Sequence, residues 1–151
     1  MSEMSLKARI TDNMKEAMRA RNKERLGAIR LILADIKRIE VDERIELDDA
    51  RIVALLDKMC KQRRDSAKQY HEAGREELAA IEENELAIIQ EFMPSQLSEQ
   101  DLQELIESAI KSTGASSMKE MGQIMAILKP QVQGRADMAD VSKRIKSILT
   151  A

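Results

Sequence analysis

The chain has 151 residues, with 25 Lys/Arg against 27 Asp/Glu for a formal net charge of −2, and holds one Phe, one Tyr and no Trp. With only four Val and three Thr beside them, the side chains that sheets draw on are nearly missing, and Ala, Leu, Met, Glu, Lys, Arg and Gln favour helix. An all-α fold is expected, and nucleic-acid binding by bulk charge is excluded, so any such contact must be a local patch.

Leu6, Ile10, Met14 and Met18 step by four and mark one face of a first helix over 5–21. Asn22 is a good N-cap for a second helix, whose stripe is Leu26, Ile29, Ile32, Leu33, Ile36 and Ile39 before it weakens over 41–46. Asp48 caps a third, with Leu47 and Ile52 placed as a hydrophobic staple. Leu55, Leu56, Met59, Ala67 and Tyr70 carry its stripe to Gly74, a natural helix end. About 26 residues give a helix of roughly 39 Å.

Arg63 falls in phase with that apolar stripe, between Met59 and Tyr70. Two readings stand: a guanidinium paired with a carboxylate at a helix–helix contact, or an anion-binding arginine at a cleft. The first requires Arg63 to be at least half buried, since an unpaired buried guanidinium is prohibitive. A fourth helix over 75–91 turns Leu78, Ile81, Leu86, Ile89 and Phe92 inward, and its Glu82, Glu83 and Glu85 are the leading partners for Arg63.

Pro94 interrupts the pattern, because the residue before a proline avoids the helical region. The expected organisation is a helical N-terminal domain over 1–93 with about four helices, a linker over 94–97 and a small three-helix domain over 98–151. In the latter Ser98 caps a fifth helix, Leu97 and Leu102 form a staple, and Leu105, Ile106, Ala109 and Ile110 face inward. After a loop at 111–116, Ser117 and Glu120 form a capping box for a sixth helix with stripe Met121, Ile124, Met125 and Leu128. Asp137 and Asp140 open a seventh, along Met138, Val141, Ile145, Ile148 and Leu149. Ten Met in the chain point to an adaptable core.

Little here can do covalent chemistry. His71 is the only histidine, so neither a Ser–His–Asp constellation nor an ordinary zinc site can be assembled. At its helix end it is expected to act as a C-terminal dipole contact. The five glycines are scattered, with no phosphate-cradling loop. No catalytic residue, metal, cofactor or small-molecule substrate is expected. The lone Cys60 suits a reducing compartment. The first ten residues show no secretory leader and no stretch is apolar enough to span a membrane, so a cytoplasmic location is expected.

The positive signal is a basic corner. From Lys129 onward five Lys/Arg face two acids, whereas the rest of the chain has 20 basic and 25 acidic residues. Lys129 closes the sixth helix, Arg135 follows Gly134 in a Pro130-to-Asp137 turn, and Lys143 and Lys146 lie opposite the apolar stripe of the seventh helix with Arg144 on its flank. These five cations are expected to share one edge around the seventh helix's N-terminus, whose unpaired N–H groups favour anions. Gly134 is expected to take positive φ or to pack closely. The same residues also fit an ordinary solvated face. A helix-turn-helix is disfavoured because 129–137 is too long for the usual turn.

The whole chain resembles the YqeY family of small bacterial proteins. The likeness is carried by Lys61-Gln62-Arg63-Arg64-Asp65-Ser66, Ala73-Gly74-Arg75-Glu76-Glu77-Leu78, Phe92-Met93-Pro94-Ser95-Gln96-Leu97 and the corner from Met121 to Asp137. The last third also resembles the tail domain of the B subunit of the tRNA-dependent Asp/Glu amidotransferase, the GatB/YqeY grouping, at Gly122, Met125, Gly134, Arg135, Ala136, Asp137 and Val141. That resemblance implies a helical appendage that helps to hold tRNA, and a link to carbon–nitrogen ligase activity with glutamine as amido-N-donor that this chain does not perform alone. It also implies a translation-related setting. Three readings follow: an accessory tRNA-binding protein using Lys129, Gly134, Arg135, Lys143, Arg144 and Lys146; a non-catalytic part of a transamidation complex, partnered by amidotransferase or other translation proteins; and a helical protein–protein adaptor. Arg63, Pro94 and Gly122 are assigned structural roles.

Overall fold

A computed structural model describes residues 4–150; the extremes of the expected domains, 1–3 and 151, lie outside the described residues. The fold is all-α. Seven α-helices follow in order, α1 (Leu6–Arg19), α2 (Lys23–Glu43), α3 (Asp49–Glu72), α4 (Glu76–Gln90), α5 (Glu99–Thr113), α6 (Met121–Val132) and α7 (Met138–Thr150), with a 3₁₀ turn at Met118–Glu120 before α6. No described helix is long and apolar enough to cross a membrane. The chain divides into two compact units that meet between Met93 and Pro94.

In the first unit the caps set the helix starts. Ser5, Asn22 and Asp48 side chains accept from the backbone N–H groups of Ala8, Arg25 and Arg51, which satisfies donors that the first turn leaves orphaned. Ile10, Ile29, Ile32, Ile36, Ile52, Leu56, Met59 and Ile89 form a core closed by Leu47 and Phe92. Each fully buried aliphatic contributes about 1.5–3 kcal/mol. The four-residue stepping fails at its end: Met18 is 48% exposed and Ala17 is buried in its place. Three steps of four drift about 120° around a 3.6-residue helix, whereas Ala17, seven after Ile10, returns to the face.

The α3–α4 hairpin is the largest feature. α3 has 24 residues, about 36 Å of helix. It closes with Gly74 at φ 71, where Arg75 N–H reaches Tyr70 O (2.7 Å) and Gly74 N–H reaches His71 O (3.1 Å). That pair of bonds caps the last carbonyls in a left-handed turn. On α4, Glu82 and Glu85 take the positions facing α3, and Ile81, expected inward, is 52% exposed as a result.

Arg63, 18% exposed at the side chain, donates from Nε to Glu85 Oε2 at 2.7 Å with Glu82 Oε2 at 3.6 Å. Glu83 instead meets His71. The imidazole is not a simple dipole contact, because Nδ1 faces Glu76 (2.5 Å) and Nε2 faces Glu83. Two accepting carboxylates require both ring nitrogens to donate, so the charged form is favoured and the pKa is raised, Glu83 being the larger cause. Cys60 is buried, and burial pushes its thiol pKa up.

The second unit packs Leu102, Ile106 and Ala109 of α5 with Ile124, Leu128 and Val132 of α6 and Val141 and Ile145 of α7. Ser98 caps α5 through Asp101 N–H (3.0 Å). Ile148 is in phase with Val141 yet 38% exposed; it lies in the last turn of α7, where Leu149 packs on the core instead.

Candidate nucleic-acid interface

The expected basic corner is built from α6, the turn after it and α7. Ser117 and Glu120 do pair, with Glu120 Oε2 accepting from Ser117 N–H (3.0 Å) and Oγ (2.8 Å), which holds the Glu120 carboxyl below its usual range. They open the 3₁₀ turn rather than the helix itself. Gly122, in the first turn of α6, is exposed with open space where a Cβ would stand, so packing within the unit does not require glycine there.

Pro130 does not end α6. The helix continues through it to Val132, because the buried Leu128 and Val132 on either side pin the last turn to the core and outweigh the one backbone bond that proline forfeits. Lys129 therefore sits inside the last turn and not at its close. Only residues 133–137 connect α6 to α7, a shorter link than the nine residues expected.

In that turn Gly134 has φ 76 and is buried. Its carbonyl accepts from Gln96 Nε2 (3.1 Å). Arg135 O accepts from Leu97 N–H (2.9 Å), and Arg135 Nε donates to Ser95 O (3.1 Å). The segment 95–97, expected as a linker, is thus bonded to the α6–α7 turn at three successive residues. Arg135 also borders a groove with Asp101 and Glu104. A guanidinium holding a backbone carbonyl beside two acids is a poor phosphate ligand, so Arg135 leaves the set of exposed cations.

Arg144 leaves it too. Its Nε donates to Asp140 (2.9 Å) and its NH2 group to Glu99 (2.5 Å), and these carboxylates, Glu99 first, raise its pKa. The N-terminus of α7 is likewise occupied: Asp137 Oδ1 accepts from Ala139 N–H (3.0 Å) and Asp140 stands in the first turn. Two negative groups at a helix start oppose a further anion. Among the described residues, Lys129, Lys143 and Lys146 remain exposed and outside any ion pair. Lys143 and Lys146 share the outward side of α7, since Val141 and Ile145 take the other into the core.

No group of His, Cys, Asp and Glu side chains among the described residues could hold a metal ion. The reading from sequence missed the contacts of Arg135 with Ser95 and of Arg144 with Glu99 because these partners lie 40 and 45 residues away, whereas Asp140, four residues before Arg144 on the same helix, was legible.

The family model described as Yqey-like protein matches residues 7–149. The chain is 29% identical over 147 residues to a Pyrenophora tritici-repentis protein named "Altered inheritance of mitochondria protein 41, mitochondrial", covering 95% of this chain and 80% of that one. It is 37% identical over 83 residues to a protein of the same name from Clavispora lusitaniae, covering 55% of this chain and 48% of the relative. A third so named, from Vanderwaltozyma polyspora, is 34% identical over 84 residues, 55% of this chain and 45% of the relative. The matched stretches span about half the length of these last two relatives. A match that runs from α1 to the end of α7 covers both units, and the chain belongs to the YqeY-like family.

Proposed function

We propose that this protein is an accessory RNA-binding protein that holds tRNA or tRNA-like RNA through Lys129, Lys143 and Lys146, without catalysing a reaction alone. The supporting observation is the outward side of α7, where Lys143 and Lys146 are exposed with no ion pair to another described residue. Cations not already neutralised by the protein are those able to displace counterions from a phosphate backbone. The resemblance of Gly122, Met125 and residues 134–137 to the amidotransferase tail supports the same reading. The role needs a compartment that contains tRNA; the cytoplasm meets that need, and so does the mitochondrial setting that the relatives' names state for those proteins.

A gel shift with total tRNA tests this. With about three phosphate contacts, log affinity falls with log salt at a slope of roughly −2 to −3. Lys143→Glu with Lys146→Glu weakens binding uniformly across tRNA species and leaves the helical content unchanged. Arg135→Gln leaves the salt slope unaltered, because that side chain already serves Ser95 O. No binding at low salt, or binding insensitive to salt, returns the protein to the adaptor reading.

A further inference from the structure

A second basic surface lies in the first unit, on α2. Its inner side buries Ala28, Ile29, Ile32 and Ile36. Its outer side follows a 4-3-4-3-4 spacing through Lys23, Gly27, Arg30, Ala34, Lys37 and Val41, every one of them exposed. At 3.6 residues per turn these six stay within about 40° of one line, and the flanking acids Glu24, Asp35, Glu40 and Asp42 stand about 100° or more away. Lys23, Arg30 and Lys37 make no ion pair or side-chain hydrogen bond with a described residue, whereas the neighbouring Glu40 is taken by Lys7 and Asp35 by Arg38. Between the cations stand Gly27 and Ala34, and a Cβ at Gly27 would meet only open space. The result is a low-relief strip with three cations over 14 residues, about 21 Å.

We propose that this face of α2 docks the sugar–phosphate backbone of double-helical nucleic acid, with Lys23, Arg30 and Lys37 as the phosphate contacts. Charge complementarity selects the occupant: three cations in no ion pair with a described residue, on a line whose nearest acid to Lys37, Glu40, is bonded to Lys7. A protein partner's interface core is depleted in Lys and built on aromatic or aliphatic anchors. Among the described residues the exposed large apolar side chains on or beside this face are Leu31, Val41 and Ile45, all aliphatic and none aromatic. Membrane-surface helices need their apolar face free to enter the lipid, and that of α2 is spent in the core. Single strands are gripped by stacking bases on aromatic side chains; this face has none, and the single Phe of the chain is buried. Backbone contact without stacking suits a duplex. The site uses residues separate from the α7 lysines and does not rest on the reading above.

Fluorescence anisotropy with the full chain tests it, using a 24-base-pair RNA duplex, the DNA duplex of equal sequence and the single RNA strand. Lys23→Glu/Arg30→Glu/Lys37→Glu should weaken duplex binding about tenfold or more at low salt, and should do so again in a Lys143→Glu/Lys146→Glu background. For the unaltered α2 face, affinity should fall about twentyfold between 50 and 150 mM salt. Lys58→Glu/Arg64→Glu/Lys68→Glu on α3 makes the same change in net charge and should cost less than threefold. Far-UV circular dichroism confirms that each variant folds. The two duplex arms show whether A-form or B-form geometry is preferred, and binding to either carries the proposal. Equal loss in the α3 control, tighter binding of the single strand, or tighter binding of polyglutamate or phosphatidylserine vesicles than of both duplexes overturns it.

Discussion

Arg63 of α3 and Glu85 of α4 join the two arms of the long hairpin through a 2.7 Å hydrogen bond between side chains only 18% and 27% exposed. Arg63 therefore needs no external anion, and the choice between an anion-binding arginine and a helix–helix ion pair falls to the pair. Removing the carboxylates strands a guanidinium that cannot give up its charge, whereas the carboxylates left by Arg63→Met can turn to water or take up a proton. Glu82→Gln with Glu85→Gln should lower stability by about 1–2 kcal/mol, and Arg63→Met by less than about 1 kcal/mol. Urea denaturation of the variants gives the order; the reverse order would show that Arg63 contributes mainly by packing.

His71 makes the same hairpin sensitive to pH. Its folded-state pKa lies above the usual 6.5 because Glu83 and then Glu76 accept from the ring. A raised folded pKa means the folded state holds the proton more tightly than the unfolded chain. The stabilisation is complete below about 6.5 and is lost as pH rises through the folded pKa. The stability advantage over His71→Gln should shrink across that window. A ring titration by NMR should place the midpoint above 6.5, shifting down in Glu83→Gln; a midpoint at or below 6.5 in the parent sinks this assignment.

Two arginines occupy backbone positions that favour glycine. Arg21 has φ 56 after α1, and Arg44 has φ 57 after α2. Left-handed conformation costs a non-glycine residue roughly 1–2 kcal/mol, part of which glycine returns through the entropy of its unfolded state. Arg44→Gly should raise stability by up to about 1 kcal/mol, and Gly74→Ala should lower it by about 1 kcal/mol. A Cβ at Gly74 meets nothing within 4 Å, so that cost is conformational, and thermal melts of both variants test it with opposite signs.

Limited proteolysis separates a free linker from a bonded one. Segment 95–97 is held at three successive residues by the α6–α7 turn. The stretch after Gly114 joins α5 to the 3₁₀ turn, with Ser116 and Met118 exposed. The first cut should fall within about 114–118, ahead of any at 95–97. Early cleavage at Ser95–Gln96 would show that those bonds do not persist in solution, and cleavage within Leu55–Ala67 would show that α3 does not.

What the sequence determined by itself was whatever is decided within one or two turns. Asn22, Asp48 and Ser98 each accept from an N–H three residues on, so the residue type and its place in the apolar pattern were enough to start three helices. The phase of Arg63 between Met59 and Tyr70 put it on the apolar side of α3 for the same reason, whereas its pairing with Glu85, 22 residues on, was decided by the packing of α3 on α4. The tertiary structure decided the rest. It carried α6 through Pro130 because Leu128 and Val132 bury together, and it turned Ile81 and Ile148 outward because burial depends on which neighbour stands opposite. It also sorted the cations: Arg144 meets Glu99 across 45 residues and Arg135 meets Ser95 across 40, while Lys23, Arg30 and Lys37 line up on a face whose acids turn aside. A charge count along the chain averages each cation with its sequence neighbours. Whether that charge remains available to a partner is set by the side chains that folding brings beside it.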